Sequence, residues 1–168
     1  MKNSLRIMNE LEILKKENCP EFVIKHSIAV YKKAMEIGSN FKEANLEYIK
    51  QGALLHDVGR SRTHEIDHAV VGAKIAKEYG YPKEVQNIIE RHIGAGISLE
   101  ESKELPIPTK SYIPITLEEK IVAHSDNLFH GDKEVTVEFT ANKWKKRMKN
   151  PEDNIKRLMK LNKELIEE

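Results

Sequence analysis

The chain has a single cysteine in 168 residues, Cys19, so no internal disulfide framework holds it and a reducing compartment is the default setting. Next to Pro20 it reads as a small apolar residue. With 8 glycines and 6 prolines, the composition excludes a collagenous chain or a Pro/Gly-rich disordered one. Long apolar runs are missing as well. The start, MKNSLRIMNELEILKKEN, lacks the apolar stretch of a signal peptide, and no later segment approaches the length of a membrane span. The expected setting is therefore cytoplasmic, with no membrane partner. An excess of one charge sign is also absent: 28 Lys and Arg face 27 Asp and Glu, so nothing pulls the whole chain toward nucleic acid or lipid. There is no G-x-S-x-G elbow, no P-loop, and none of the repeated Cys and His of a structural zinc site.

What is present is helical periodicity. Apolar residues recur at Leu5, Met8 and Leu11, at Phe22, Ile28, Tyr31 and Met35, and at Leu46, Ile49, Ala53 and Leu54. Turn and cap signals divide the chain into about seven helices: 4–18, 20–37, 42–56, 67–79, 82–92, 116–129, and a last one beginning near Asn150 and Pro151. Asp67 is a candidate cap, Thr116 and Glu119 a candidate capping box, and Gly94 a candidate stop. The run EVTVEFT from Glu134 to Thr140 alternates like a strand, although its neighbours favour a helix. Residues 93–116, with Gly94, Gly96, Pro106, Pro108 and Pro114, read as a long irregular loop of the kind used as a lid. The length suits one compact unit.

The chemistry sits in the histidines. Imidazole is the commonest neutral metal ligand, and His26 and the pair His56-Asp57 lie inside or at the end of predicted helices. The pair stands in GALLHDVGR, where Gly59 offers a left-handed helix stop that lets adjacent side chains turn toward one point. Asp126, in IVAHSDNL, is a carboxylate on a mostly apolar helix, which needs a strong partner. A divalent cation serves both residue types. The plainer alternative makes each His a hydrogen-bonded core residue and each Asp a cap.

The order H…HD…D in these contexts resembles the HD superfamily of metal-dependent phosphohydrolases, and HDVGR is similar to its HDIG-like subgroup. The resemblance covers residues 21–130, leaving 131–168 as a C-terminal helical extension of one HD domain. It implies an all-α HD-domain helical bundle, with room for a short strand pair. It also implies that His26, His56, Asp57 and Asp126 hold a first metal. His68, in IDHAVVGAKIA, and His92, in IIERHIGAG, resemble the second-metal histidines of some members, the alternative being substrate contact beside a single ion. One or two divalent ions are expected, Fe2+ or Mn2+ ahead of Co2+, Ni2+, Zn2+ or Mg2+. Asp57 is the expected catalytic carboxylate. Arg60 stands where the family commonly has a lysine near substrate phosphate, a departure that keeps the charge and adds bidentate geometry. Arg62 and Arg91 are further candidates for substrate phosphate, or are surface ion-pair residues.

Small size and Lys, Ile and Glu-rich composition resemble the archaeal enzymes that open dihydroneopterin 2',3'-cyclic phosphate. The implied activity is that of a metal-dependent phosphoric ester hydrolase, acting as a cyclic phosphodiesterase on a small phosphorylated substrate. A nucleotide phosphohydrolase acting on a dinucleoside polyphosphate or a nucleoside monophosphate is the nearest alternative. KWKKRMK, from Lys143 to Lys149, is the local exception to charge balance. It reads as a solvated helix face or as the contact of a nucleotide or nucleic-acid binding module. A homo-oligomer remains open.

Overall fold

The computed structural model describes residues 9–167, so the expected helix start at 4 and the apolar positions Leu5 and Met8 lie outside the described residues. The described part opens with α1 (Glu10–Lys16), α2 (Glu21–Gly38) and α3 (Leu46–Leu55), followed by a 3-10 turn at Val58–Ser61. Then come α4 (His68–Glu78), α5 (Lys83–Glu90), the single-turn α6 (Leu99–Ser102) and α7 (Leu117–Asn127). A two-stranded hairpin of β1 (Phe129–His130) and β2 (Lys133–Glu134) leads into α8 (Val137–Arg147) and α9 (Glu152–Leu165). The described residues form an all-α fold with one short strand pair, as the resemblance implied, and carry two helices more than the seven expected.

Both additions have local causes. Thr136 caps α8 by accepting from the Phe139 amide, a contact worth about 1 kcal/mol, and this cap turns most of EVTVEFT into helix. Only Lys133 and Glu134 pair with β1, across a two-residue turn in which Gly131 has a φ of 66°. The second addition lies in the segment read as an irregular lid. Ser98 and Glu101 there form a complete capping box around α6. Tyr112 is buried with Val70 and Ile97, its backbone amide donates to the Ile97 carbonyl, and its hydroxyl donates to the Pro108 carbonyl. The segment is packed down rather than free to swing.

Two other expected caps differ. Thr116 accepts from the Glu119 amide, but the Glu119 carboxylate does not return the bond; it accepts instead from the Ile115 amide and from Arg91. Asp67 makes no cap, because its carboxylate accepts from the Thr63 hydroxyl at 3.0 Å.

Two main apolar clusters set the frame. Val30, Ile49, Ile88, Ile121, Trp144 and Leu158 tie α2, α3, α5 and α7 to the two C-terminal helices. Leu14, Val23, Leu55, Val58, Ile75 and Ile89 pack α1 and α4 against the other side of α3. Truncating any of the fully buried Leu or Ile side chains to Ala is expected to cost about 2–5 kcal/mol. α3 is thus gripped from both sides, which fixes the place where its last turn ends in His56. No described helix is long and apolar enough to cross a membrane.

Candidate metal centre

The HD turn is shaped by glycines. A Cβ on Gly52 would lie 2.4 Å from Ile88 Cγ2, so glycine lets α3 approach α5 closely. A Cβ on Gly59 would meet the His68 carbonyl oxygen at 1.9 Å. Gly59 does not adopt the left-handed conformation expected of it; it is absent from the glycines with positive φ. Its role is to let the 3-10 turn touch the first turn of α4, which brings the chain after Asp57 against His68.

His56 caps α3 and Asp57 follows in an irregular conformation, φ −104° and ψ 15°. This break in the helix is what allows two adjacent side chains to converge. His56 Nε2 lies 3.2 Å from His26 Nε2 and 3.5 Å from Asp126 Oδ1, and His26 Nε2 lies 2.9 Å from the same carboxylate oxygen. Asp57 Oδ2 lies 3.5 Å from His56 Nε2 and 3.6 Å from His26 Nε2. Its other oxygen, Oδ1, lies 3.2 Å from both His68 Nε2 and His92 Nε2, which are themselves 3.2 Å apart. Asp57 therefore joins two donor sets, each drawn from three or more elements.

The four rings share one orientation. Nδ1 of His26, His56, His68 and His92 faces the backbone carbonyl of Gly131, Ala53, Glu65 and Ile89 respectively, at 2.5–2.8 Å. A carbonyl oxygen can only accept, so each Nδ1 carries a proton and each Nε2 of a neutral ring presents a lone pair to the centre. Four lone pairs and two carboxylates facing one another at 3 Å repel unless a cation sits among them. Donors about 2.0–2.3 Å from a shared ion lie about 3–3.5 Å apart, the spacing seen here. The donor set fits a divalent metal, and the backbone carbonyls act as the outer partners that fix ligand tautomers.

Electrostatics agree with the geometry. Burial works against a charged His56, yet the Asp57 and Asp126 carboxylates outweigh it and push its pKa up to about 9. Burial likewise works against charge on Asp57 and Asp126, but the surrounding imidazoles hold both well below the usual carboxylate range. Burial lowers the His92 pKa, favouring the neutral ring that a metal requires.

The structure brings together all six predicted ligands and sets Arg60 beside them, its Nε 3.4 Å from Asp57 Oδ2. It does not bring Arg62 or Arg91 to the centre. Arg62 is drawn off by Glu17 at 3.1 Å, and Arg91 donates to the buried Glu119 at 2.8 Å. His124 is structural, bonded to Asn162, and His130 rests edge-on against Phe139. A cavity of about 440 Å³ opens over Asp57, His68 and His92, walled by Arg60, His64, Ile66 and Gly94. Of the long 93–116 segment only Ile93 and Gly94 border it. A second cavity, about 490 Å³, opens on the His26 side between Phe22, Lys25, Arg60 and Gly131.

A family model described as HD domain matches residues 23–131. The chain belongs to the HD family. The match nearly coincides with the span from α2 to the hairpin turn that carries all six candidate ligands, and it places the chain among metal-dependent phosphohydrolases. An uncharacterized protein of Methanocaldococcus jannaschii is 48% identical over 159 residues, covering 92% of this chain and 94% of that one. A tRNA (cytidine(56)-2'-O)-methyltransferase of Picrophilus torridus is 43% identical over 92% of this chain, which spans only 45% of that protein. A ribonuclease Y of Thermosipho melanesiensis is 35% identical over 83% of this chain and 22% of its own length. In structure, the HD domain of the Listeria monocytogenes phosphodiesterase PgpH superposes with a TM-score of 0.55 at 18% identity, covering 89% of this chain and 94% of that one. That likeness concerns the fold.

Two features of the site had little or no sequence signal. The Gly131 carbonyl that orients His26 is a backbone atom and leaves no residue signature. Phe22 falls on the apolar periodicity of α2 but is 66% exposed beside the centre.

Proposed function

We propose that this HD protein is a two-metal cyclic phosphodiesterase that opens a small 2',3'-cyclic phosphate, such as that of dihydroneopterin. The observation that carries the reading is Asp57, whose two oxygens face two histidine pairs at the floor of a cavity lined by Arg60. His26, His56, Asp57 and Asp126 would hold one ion, and Asp57, His68 and His92 the other. Fe2+ or Mn2+ suits this mixture of imidazole and carboxylate. Divalent ions held there would supply water of lowered pKa and positive charge to offset that on the phosphoryl oxygens.

The chain's own residues do the positioning. The backbone-fixed rings keep their lone pairs aimed at the centre, so little reorganisation accompanies reaction. Arg60, with its side chain 30% exposed, reaches from the wall to a non-bridging phosphate oxygen. Among the described residues no serine or cysteine lines either cavity over the centre, consistent with direct hydrolysis without a covalent intermediate. The lone buried Cys19 suits a cytoplasmic setting for this chemistry.

A second reading takes the ester to be part of an RNA. It is favoured by a separate cavity of about 360 Å³ lined by His130, Phe139, Lys143, Lys146 and Arg147, a combination of ring and cations that suits a nucleotide chain. The ribonuclease and tRNA-modifying relatives point the same way. Protein reconstituted in turn with Fe2+, Mn2+, Co2+, Ni2+, Zn2+ and Mg2+ should be assayed on cyclic phosphodiesters, phosphomonoesters, polyphosphates and short RNA. Fastest turnover of a small 2',3'-cyclic phosphate, with Fe2+ or Mn2+, is the expected result. Turnover confined to monoesters, polyphosphates or RNA would overturn it.

A further inference from the structure

Among the described residues of the first half of the chain, Phe22 is the most exposed large hydrophobic side chain, at 66%, and it packs in neither main core cluster. A ring this open near a highly polar centre is unexplained by folding, since exposure of an aromatic surface opposes it. It stands one helical turn before the ligand His26, so the two side chains share a face of α2, with Lys25 beside them. The ring of His64 lies near-parallel to it, 25° apart with centroids at 6.3 Å. His64 comes from the loop after Arg60 and borders the neighbouring cavity over the other histidine pair. Phe22 and His64 thus join the walls of the two cavities, and both cavities contain His26, Asp57 and Arg60.

We propose that Phe22, braced by His64, is the stacking platform that receives the planar ring of the substrate, making this enzyme selective for phosphate esters that carry a purine-sized heterocycle. The inference rests on the phosphodiester reading above and adds the substrate class. The occupant follows from what surrounds the ring. The cavity on the Phe22 side, about 490 Å³, is within the size range of small-molecule sites. Lys25 and Arg60 on its rim offer cations to a phosphate, the carboxylates of Asp57 and Asp132 in the same lining being offset once divalent ions are held, while the exposed ring face rewards a flat partner. An ester anchored by its phosphate at the ions and by its ring on Phe22 is held at both ends, which restricts the reacting bond to one orientation.

The test compares two esters with the same five-membered cyclic phosphate, guanosine 2',3'-cyclic phosphate and the ring-less glycerol 1,2-cyclic phosphate, on metal-loaded protein. Phe22→Ala is expected to lower the preference for the guanosine ester about tenfold, carried by KM rather than kcat, with Phe22→Trp restoring it. Because Phe22 is exposed, loss of fold is not expected, and circular dichroism checks this. A second readout needs no turnover: the guanine H8 proton of guanosine 2'-monophosphate should shift upfield on binding, and the shift should vanish in Phe22→Ala. If neither ester is hydrolysed but the shift appears and is lost in Phe22→Ala, the platform stands and the phosphodiester reading falls. An unchanged preference ratio, or no shift with the natural sequence, would overturn the platform.

Discussion

The two halves of the centre are built by different means. His26 and His56 come from the consecutive helices α2 and α3, and Asp126 from the distant α7; His56 is fully buried, while the side chains of His26 and Asp126 are 14% and 22% exposed. His68 and His92 come from the two helices that follow the HD turn, and their side chains are only 5% and 2% exposed. Their placement depends on close backbone approach at Gly52, Gly59 and Gly72. The first half is held by core packing around a partly open edge, the second by glycine-permitted contact in a closed corner. Asp57 belongs to both, so the halves are mechanically distinct but chemically joined.

The largest expected effect comes from breaking that joint. Asp57→Ala should reduce turnover to background while the fold survives, because the carboxylate serves the ions more than the core. Removing a carboxylate that His56, His68, His92 and Arg60 face should also lower the stability of the metal-free protein, since their charges lose a buried partner. Activity equal to the natural sequence in a metal-quantified sample would show that the joint is not needed.

Next, Gly59→Ala tests the closed corner alone. The added Cβ would lie 1.9 Å from the His68 carbonyl, so backbone must move, at an expected cost of about 3 kcal/mol in chemical denaturation. A loss near zero would mean that the corner has slack.

A smaller effect separates the open half by its protons. In metal-free protein His56 has a pKa pushed up to about 9 by Asp57 and Asp126, against burial, while the unfolded value is about 6.5. Stability from that proton is complete below about 6.5 and is lost as pH rises through about 9. Metal binding displaces it, so metal affinity should rise between those limits by at most about tenfold per pH unit. Calorimetry at pH 7.5 in two buffers of different ionisation enthalpy should show proton release on metal addition. Identical heats in both buffers would contradict the coupling.

The smallest effect lies away from both halves. Replacing Lys145, Lys146 and Arg147 by Gln should change turnover of a small cyclic phosphate less than about threefold, since α8 carries them as exposed residues. Salt-dependent RNA affinity that collapses in the triple variant would favour the RNA reading instead.

Much of the centre was legible because ligand chemistry restricts residue type. His26, His56-Asp57 and Asp126 stood among apolar residues where unpaired polar groups are costly, while His68 and His92 were indicated by the resemblance to the HD superfamily. Three kinds of detail were hidden. Gly59 signals either a left-handed turn or close approach, and the sequence does not separate them; the structure shows approach. Arg62 and Arg91 carry the right charge near the right motif, but Glu17 and Glu119, distant in sequence, hold them elsewhere. EVTVEFT has strand alternation, yet the Thr136 cap and the packing of Val137, Ala141 and Trp144 favour helix. For Gly59 and the two arginines a tertiary partner decided between two local readings; for EVTVEFT a local cap and core packing acted together.

We infer that Asp57 joins two ions, one in each half, and metal content per chain measures this. Elemental analysis of protein reconstituted with Mn2+ should give two ions per chain for the natural sequence. His26→Ala and His92→Ala should each retain about one, lost from opposite halves. One ion in the natural sequence, unchanged by His92→Ala, would contradict the claim.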